Sequence, residues 1–141
     1  MLFAIKLVVL GLVALLAMVR GESLSVVTYN VENYTLADRM TPDGYRPAYP
    51  KPEVSKAALR AVLHDLDAEV VAVQEMGGRP FLEELLRDLA SEGLVYPHAE
   101  ILETDEEPRH VAVLSRLPLT KVRRHTDLAF RYFDVRTPVK R

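Results

Sequence analysis

Residues 69–75 read Glu-Val-Val-Ala-Val-Gln-Glu, a mainly apolar run that ends in an amide and a carboxylate. A continuous apolar run of this length is typical of a strand covered on both faces, as in the parallel sheets of α/β proteins. Gln74 and Glu75 have no place in an apolar core, and sites in α/β proteins form at the carboxyl ends of strands. The segment therefore predicts a central strand that ends at a functional edge of the sheet.

Two amphipathic helices are predicted, one before and one after this strand in the sequence. Pro52 is expected in the first turn of the first helix, where the missing N–H of proline does no harm. Pro80 is expected to start the second helix, and Gly93 to follow its last turn. The apolar residues of both helices recur at helical spacing: Val54, Ala58, Leu59, Val62, Leu63 and Leu66 in the first, and Leu82, Leu85, Leu86 and Leu89 in the second.

Four other strands are predicted from short β-branched or apolar runs: Ser25–Tyr29, Tyr96–Leu102, Val111–Ser115 and Lys121–His125. Residues 34–51 hold three of the nine prolines and the turn signal Pro42-Asp43-Gly44, so they predict a long loop, which is functional or mobile. The acidic stretch Glu103–Glu107 is expected to be a solvated turn. Strands that alternate with helices in this order indicate the α/β class.

Length, charge and cysteine content exclude several classes of protein. A chain of 141 residues holds about one small domain. Its 18 Lys and Arg residues against 20 Asp and Glu residues argue against a nucleic-acid binder that works through a broad basic face. The sequence has no cysteine, which excludes disulfides, thiolate zinc sites and cysteine nucleophiles.

The amino-terminal segment, residues 1–21, is expected to be a signal peptide or a membrane anchor. Leu7–Val19 is an apolar run of thirteen residues after the single charge of Lys6. A bilayer-spanning helix needs about 20 residues, so the run fits a secretory signal better, with an uncleaved anchor formed by residues 2–19 as the alternative. We therefore expect export to the periplasm or the extracellular space, with a membrane contact only through an uncleaved leader.

Polar side chains end two predicted strands, in Thr28-Tyr29-Asn30-Val31-Glu32-Asn33 and in Val73-Gln74-Glu75. If the two strands are neighbours, the amide of Asn30 and the carboxylate of Glu75 can meet across about 5 Å. Oxygen ligands of this kind suit Mg²⁺, which takes one or two carboxylates and leaves its other positions to water and phosphate oxygens. From these residues alone, the favoured interpretation is that Asn30 is a turn residue and Glu75 an exposed charge at the end of a strand.

Together with Val111-Ala112-Val113-Leu114-Ser115-Arg116 and the following Leu117-Pro118-Leu119, these segments resemble the endonuclease/exonuclease/phosphatase superfamily in the correct order. That superfamily includes metal-dependent nucleases, inositol-phosphate phosphatases and sphingomyelinases. The resemblance covers residues 24–141. It implies an α/β fold that is part of a four-layer sandwich, in which two packed mixed sheets carry outer helices. Residues 22–141 would supply the amino-terminal half of that domain.

The resemblance also implies an activity, a cofactor and site residues. The activity would be hydrolysis of phosphate esters with Mg²⁺ or Mn²⁺, on nucleic acid, a sugar or inositol phosphate, or a phospholipid headgroup. Glu75 would be the metal-binding carboxylate, and Asn30 would support the metal and the phosphate, so both would be catalytic. Substrate-binding candidates are Arg116, His110 and Arg46.

Each of these three candidates has a second interpretation. Arg116 could face a phosphate or cap the turn toward Pro118. His110 stands where many members have glycine, and an exposed histidine on an edge is the alternative. Arg46 lies in the predicted loop with Arg39, Tyr45 and Tyr49, which could contact substrate or be solvated.

The sequence departs from the superfamily in its second half. Members supply an Asp-x-Asn motif and a late Asp-His pair, and neither occurs among these 141 residues, whose only asparagines are Asn30 and Asn33. Phosphoryl transfer needs several groups acting together. We therefore expect a truncated and inactive half that lacks its carboxyl-terminal partner. The alternatives are a secreted or membrane-anchored interaction domain without chemistry, and a half-domain completed by another polypeptide or a second copy.

Overall fold

The structure, a computed structural model, describes residues 23–104 and 108–126. These residues form strands and helices in the order β1 (Val26–Tyr34), β2 (Ala37–Thr41), β3 (Gly44–Tyr49), α1 (Glu53–Leu66), β4 (Val70–Met76), α2 (Arg79–Ser91), β5 (His98–Leu102) and β6 (His110–Ser115). The predicted α/β class is confirmed, and the arrangement is consistent with part of an α/β sandwich. The predicted leader, residues 1–21, lies outside the described residues. Within them, no helix is both long and apolar enough to cross a membrane.

The main sheet has the strand order β1-β4-β6-β5. Strand β4 is an inner strand, parallel to β1 and antiparallel to β6. The strand predicted over residues 69–75 is confirmed, but its burial on both faces is not, because Val70, Ala72 and Gln74 are only half-buried. Strand β5 pairs antiparallel with β6, so the sheet is mixed. Because β1 and β4 run parallel, their carboxyl ends lie side by side at the same end of the sheet. We call this end, where the two strands terminate, the site edge. Asn30 pairs with Gln74 there, directly before Glu75.

One face of the sheet packs against both helices and forms the core. Alternate strand residues such as Val71, Val73 and Leu114 are buried on this face. The helices contribute the buried side chains of Leu59, Leu63, Leu82, Leu85 and Leu89. Each fully buried side chain of this size stabilises the fold by about 1.5–3 kcal/mol. The leucine positions predicted for α2 are therefore largely confirmed.

The two helices are also joined by ion pairs, which we call the helix ion-pair ladder: Lys56 with Glu84, and Arg60 with Asp88 and Glu92. One turn further along, His64 Nε2 lies 3.4 Å from the Glu92 carboxylate. Basic residues recur every four positions on α1, and acidic residues do so on α2. The partners follow the same order along both helices, so the helices run parallel. Nothing in the sequence analysis anticipated this ladder.

The opposite face of the sheet is partly open. Val26 and Val111 point to this face and are 62% and 51% exposed. The segment after β6 runs back across part of it, where Arg124 donates to Glu100 over 2.8 Å. A cavity of about 400 Å³ remains between this segment and the sheet, lined by Val113 and Val122 among others.

The prediction of a long loop over residues 34–51 is wrong. Strands β2 and β3 form an antiparallel hairpin in which Arg39 lies opposite Arg46. Gly44 has φ +106°, a conformation that glycine adopts readily, and Thr41 donates from its hydroxyl to the Gly44 carbonyl. The Asp-Gly turn is visible in the sequence, but Pro47 argues against a strand after the turn, so the hairpin was not predicted. Proline is tolerated here because the hairpin is only two strands wide and both strands are edges.

Three further expectations need correction. Lys121–His125 is not a strand, because in the described part of the chain it has no strand partner. Pro52 is the residue before α1, with extended backbone, rather than part of its first turn. Four of the six apolar positions predicted for α1 are exposed: Val54, Ala58, Val62 and Leu66. That helix covers the edge of the sheet, so only its Leu59 and Leu63 side reaches the core.

The predicted end of α2 at Gly93 is confirmed. Gly93 has φ +94° and donates to the Ala90 carbonyl, and Leu94 donates to the Leu89 carbonyl over 2.9 Å. These two hydrogen bonds form a Schellman motif, in which a left-handed glycine satisfies the last carbonyls of the helix. Leu89 and Leu94 are both buried. Of the acidic turn predicted at residues 103–107, Glu103 is exposed and residues 105–107 lie outside the described residues.

Candidate functional site

Glu75 lies in a β-bulge at the carboxyl end of β4. Val73 pairs with Ala112 and Met76 with His110, so two residues of β4 oppose one residue of β6. Glu75 takes φ +60°, the left-handed conformation. Bulges turn a side chain away from the regular alternation of a strand and are frequent next to active sites. The bulge therefore presents the Glu75 carboxylate at the site edge instead of placing it on either face of the sheet.

The end of β1 bends around this carboxylate. Pairing between β1 and β4 is regular up to Asn30 and resumes at Tyr34, which lies opposite Met76. Residues 31–33 of β1 thus lie opposite a single residue of β4, Glu75. Glu32 and Asn33 both have positive φ, +53° and +56°. Each such non-glycine residue costs on the order of 1–3 kcal/mol, and such residues cluster at functional sites.

Both oxygens of Glu75 accept hydrogen bonds from this bend. The Asn30 side chain donates from Nδ2 to Oε1 over 3.0 Å, and the Asn33 backbone N–H donates to Oε2 over 3.0 Å. The Asn30 Oδ1 atom accepts from the Glu32 N–H over 2.8 Å. Chemistry fixes this orientation of the Asn30 amide, because a carboxylate can only accept and an N–H can only donate.

The surroundings favour the ionised form of Glu75. The hydrogen bond from Asn30 lowers the pKa of this carboxyl below its ordinary value, the Asn33 N–H and the charges of Arg109 and Lys51 act in the same direction, and partial desolvation opposes them. Glu75 is therefore an anion at neutral pH. Each oxygen accepts one hydrogen bond in this bend and keeps a lone pair for another partner.

This donor set fits one ligand position of a divalent cation. Mg²⁺ is usually bound through one or two carboxylates and keeps several waters. Glu75 can supply one such carboxylate. Asn30 orients Glu75 through its Nδ2, and its oxygen, which accepts one hydrogen bond from the Glu32 N–H, keeps one lone pair for another partner. No group of three or more His, Cys, Asp or Glu side chains that could hold a metal lies within residues 23–104 and 108–126.

Two cations lie beside the site edge: Lys51, which was not singled out from the sequence, and Arg39, which was named only as a loop residue that could contact substrate. Lys51 is buried, and its Nζ donates to the Glu32 carbonyl over 3.0 Å. Burial lowers the pKa of Lys51, while the Glu32 carboxylate opposes this effect. Arg39 donates to the Asn33 carbonyl over 2.5 Å. The sequence feature that could have pointed to Lys51 is its position between Pro50 and Pro52, because two prolines restrict the backbone and can hold a lysine at a fixed place.

A cavity of about 740 Å³ opens next to Glu75. Its polar lining includes Asn30, Glu32 and Lys51, and its apolar lining includes Leu59 and Val62. The cleft beside Glu75 therefore carries one cation, the carboxylates of Glu32 and Glu75, and an apolar wall.

Arg116 lies at the opposite end of the sheet from Glu75. Ser115 pairs with Val70 at the start of β4, so about 20 Å of strand separates Arg116 from the site edge. The Arg116 guanidinium pairs with Asp67 and stacks on the Tyr96 ring. The turn toward Pro118 is closed by the Ser115 hydroxyl, which donates to the Leu117 carbonyl over 2.7 Å. Neither of the two interpretations of Arg116 matches this geometry.

His110 and Arg46 have different positions. His110 lies opposite Met76 at the site edge, and it is half-buried on an inner strand, not exposed on an edge. Its Nδ1 atom is buried and has no hydrogen-bond partner within the described ranges. Arg46 is exposed on the β2–β3 hairpin, opposite Arg39. The structure thus brings Asn30, Glu75 and His110 to one edge and leaves Arg116 away from it.

Two neighbours of Glu75 shape the edge. Gln74 donates to the Thr28 hydroxyl over 2.7 Å on the open face, so it links β4 to β1. Gly77 donates to the Tyr34 carbonyl, and a Cβ atom there would lie 2.4 Å from a ring carbon of Phe81. Only glycine lets the chain pass this close after the bulge.

Comparison with known proteins gives one result. The family model described as Endonuclease/Exonuclease/phosphatase family matches residues 27–141. No curated protein and no solved structure matches the chain.

Proposed function

The chain belongs to the endonuclease/exonuclease/phosphatase family, a superfamily of phosphate-ester hydrolases, and we propose that Glu75 is the first carboxylate ligand of a divalent cation, Mg²⁺ or Mn²⁺, in such a site. The observation that carries this proposal is the ionised Glu75 carboxylate, held at the site edge by Asn30 and the Asn33 N–H. A cation bound there would polarise a phosphoryl oxygen and neutralise developing charge.

The residues of this chain would prepare that chemistry. Asn30 and the Asn33 N–H fix the carboxylate in one orientation, which leaves a lone pair on each oxygen directed away from β1. Lys51 in the adjacent cleft is paired with Glu32, so the positive charge that attracts an anionic phosphate ester would come mainly from a cation held by Glu75. No described residue is placed as a general base for an attacking water.

We propose that these residues alone do not turn over substrate. The superfamily's Asp-x-Asn and Asp-His motifs are absent from the 141 residues, and in-line phosphoryl transfer depends on several positioned groups. Those groups would come from residues outside this sequence. The substrate class stays open among nucleic acid, sugar or inositol phosphate and phospholipid headgroup. The excess of acidic residues weakly disfavours long duplex DNA. We further propose export through residues 1–21.

Calorimetric titration with Mn²⁺ tests the cation proposal. Glu75→Gln keeps the shape of the side chain and removes its charge, so we expect at least a tenfold loss of Mn²⁺ affinity, in line with the roughly 10–100-fold cost of perturbing a metal's ligand environment. Glu83→Gln is the matched control, because Glu83 is an exposed carboxylate on α2. Equal Mn²⁺ binding by wild type and Glu75→Gln would reject the proposal and favour a non-catalytic interaction domain.

An activity assay tests the second part of the proposal, that the residues of this chain alone do not turn over substrate. We expect no Mg²⁺-dependent cleavage of a generic phosphodiester by the purified chain. Cleavage that Glu75→Gln abolishes would show that the residues of this chain suffice for turnover.

A further inference from the structure

The Glu32–Asn33 turn places the Asn33 N–H against Glu75, yet its own conformation is unfavourable. Both residues are in the left-handed region, and neither is glycine. Local hydrogen bonds from the Glu32 N–H to Asn30 Oδ1 and from the Thr35 N–H to the Asn33 carbonyl support the turn. Each of the two backbones still prefers a negative φ, and the carbonyl groups of the turn show a further support from outside it.

Two cations bind the carbonyls of this turn from different parts of the chain. Lys51 donates from Nζ to the Glu32 carbonyl over 3.0 Å, and its ammonium lies 3.8 Å from the Glu32 carboxylate. Arg39 donates from Nη2 to the carbonyls of Asn33 and Thr35, over 2.5 and 3.3 Å. Hydrogen bonds from charged donors are roughly twice as strong as neutral ones.

Each cation is itself held in place. The Nε atom of Arg39 donates to the Tyr49 carbonyl over 3.1 Å, which fixes the guanidinium across the base of the hairpin. Lys51 lies between Pro50 and Pro52, whose rings restrict the backbone, and its side chain is buried. The β2–β3 hairpin and the segment that follows it thus form a rigid support on one side of the turn.

We propose that Arg39 and Lys51 are positioning residues, which hold the Glu32–Asn33 turn through its carbonyls so that the Asn33 N–H is aimed at Glu75. They act on the site through the backbone and not by touching the cation. Their effect on cation affinity rests on the proposed function, whereas their effect on the conformation of the Glu32–Asn33 turn does not depend on it.

Amide hydrogen exchange on the ¹⁵N-labelled full chain tests the role in the turn without any metal. In Lys51→Met and in Arg39→Gln we expect the Asn33 amide to exchange at least about tenfold faster, whereas the Val73 amide in the middle of β4 keeps its protection. Lys51→Arg, which keeps the charge and a donor, should stay within about threefold of wild type. Arg87→Gln removes an exposed charge far from the turn and serves as the control.

Two results would overturn the proposal: an Asn33 amide that stays protected in both variants, or equal loss of protection at Asn33 and Val73, which would mark a general loss of stability. A parallel Mn²⁺ titration should show an affinity at least about threefold weaker in Lys51→Met and Arg39→Gln, a smaller loss than the roughly 10–100-fold typical of a residue that contacts the metal ligand directly. Unchanged Mn²⁺ affinity in both variants would also contradict the positioning role. No Mn²⁺ binding by wild type would instead refute the proposed function, and the exchange data would still decide the role of the two cations.

Discussion

Replacing Arg60 by methionine tests whether the helix ion-pair ladder holds α1 against α2. The Arg60 side chain is only 9% exposed and lies 2.6 Å from Glu92, 2.9 Å from Glu53 and 3.6 Å from Asp88. Methionine keeps most of the apolar stem and removes the charge. Removal of one partner from a buried ion pair costs about 3–5 kcal/mol, because the remaining charges lose their compensation.

The three carboxylates decide where in that range the cost falls. Glu53, Asp88 and Glu92 are 69%, 29% and 38% exposed, so they can regain water once the arginine is gone. We therefore expect the low end, about 3 kcal/mol, out of a total unfolding free energy of about 5–15 kcal/mol for a domain of this kind.

Urea unfolding followed by circular dichroism measures this loss. With an m value of about 1.5 kcal/mol/M, the midpoint should fall by about 2 M. Arg87→Met is the control, since Arg87 is 71% exposed and its change should stay within about 0.5 kcal/mol. A loss below about 1 kcal/mol in Arg60→Met would refute the reasoning and show that apolar packing alone joins the helices.

The remaining predictions concern the site edge. Asn30→Ala removes the hydrogen bond that lowers the pKa of Glu75, so NMR titration should show this pKa moving up toward its ordinary value of 4.5. Because the pKa of Glu75 is lowered in the folded wild type, its ionised carboxylate stabilises the fold above pH 4.5, and this contribution is lost as the pH falls through the folded pKa. Asn30→Ala should therefore lose less stability than wild type over that acid range. An unchanged Glu75 pKa in Asn30→Ala would contradict this prediction. Gly77→Ala should lower the unfolding free energy by about 1–3 kcal/mol, because its Cβ would meet the Phe81 ring at 2.4 Å. Gly78→Ala should cost less in the same denaturation assay, since its Cβ meets mainly the flexible end of Glu103, and equal losses would contradict this comparison.

Much of the fold could be predicted from local patterns in the sequence. The apolar run before Glu75 gives the central strand, and the leucine spacing of α2 with Gly93 gives a helix and its end. These elements are set by the burial of their own side chains, which leaves a periodic signal. The hairpin over residues 37–49 was missed because its strands are short, exposed and interrupted by Pro47, so burial leaves no alternation to detect.

The candidate site was predictable in part for a similar reason. Asn30 and Glu75 follow strands, and parallel pairing brings the ends of neighbouring strands together. The residue Lys51, which supports the site, reaches Glu32 across 19 positions, and such a tertiary contact leaves no local pattern. The same holds for the helix ion-pair ladder, in which Arg60 reaches Glu92 across 32 positions. Arg116 looked suitable by residue type, but antiparallel pairing of β6 with β4 carries it to the far end of the sheet.

The left-handed backbone at Glu75 is the feature that sequence alone could not supply. Glutamate seldom adopts a positive φ, so the residue type at position 75 gives no sign of this conformation. The bulge coincides with irregular pairing of β4 with both of its neighbours, β1 and β6. The orientation of the carboxylate is therefore a property of three strands together.

Paramagnetic broadening by Mn²⁺ tests most directly whether a divalent cation binds at Glu75. Sub-stoichiometric Mn²⁺ is added to the ¹⁵N-labelled chain, and the loss of amide signal is mapped onto the sheet. We predict that the signals of Asn33 and Met76 at the site edge disappear first, that Ser115 at the opposite end stays sharp, and that Glu75→Gln removes the effect. Broadening that is absent, centred elsewhere or unchanged in Glu75→Gln would contradict the account.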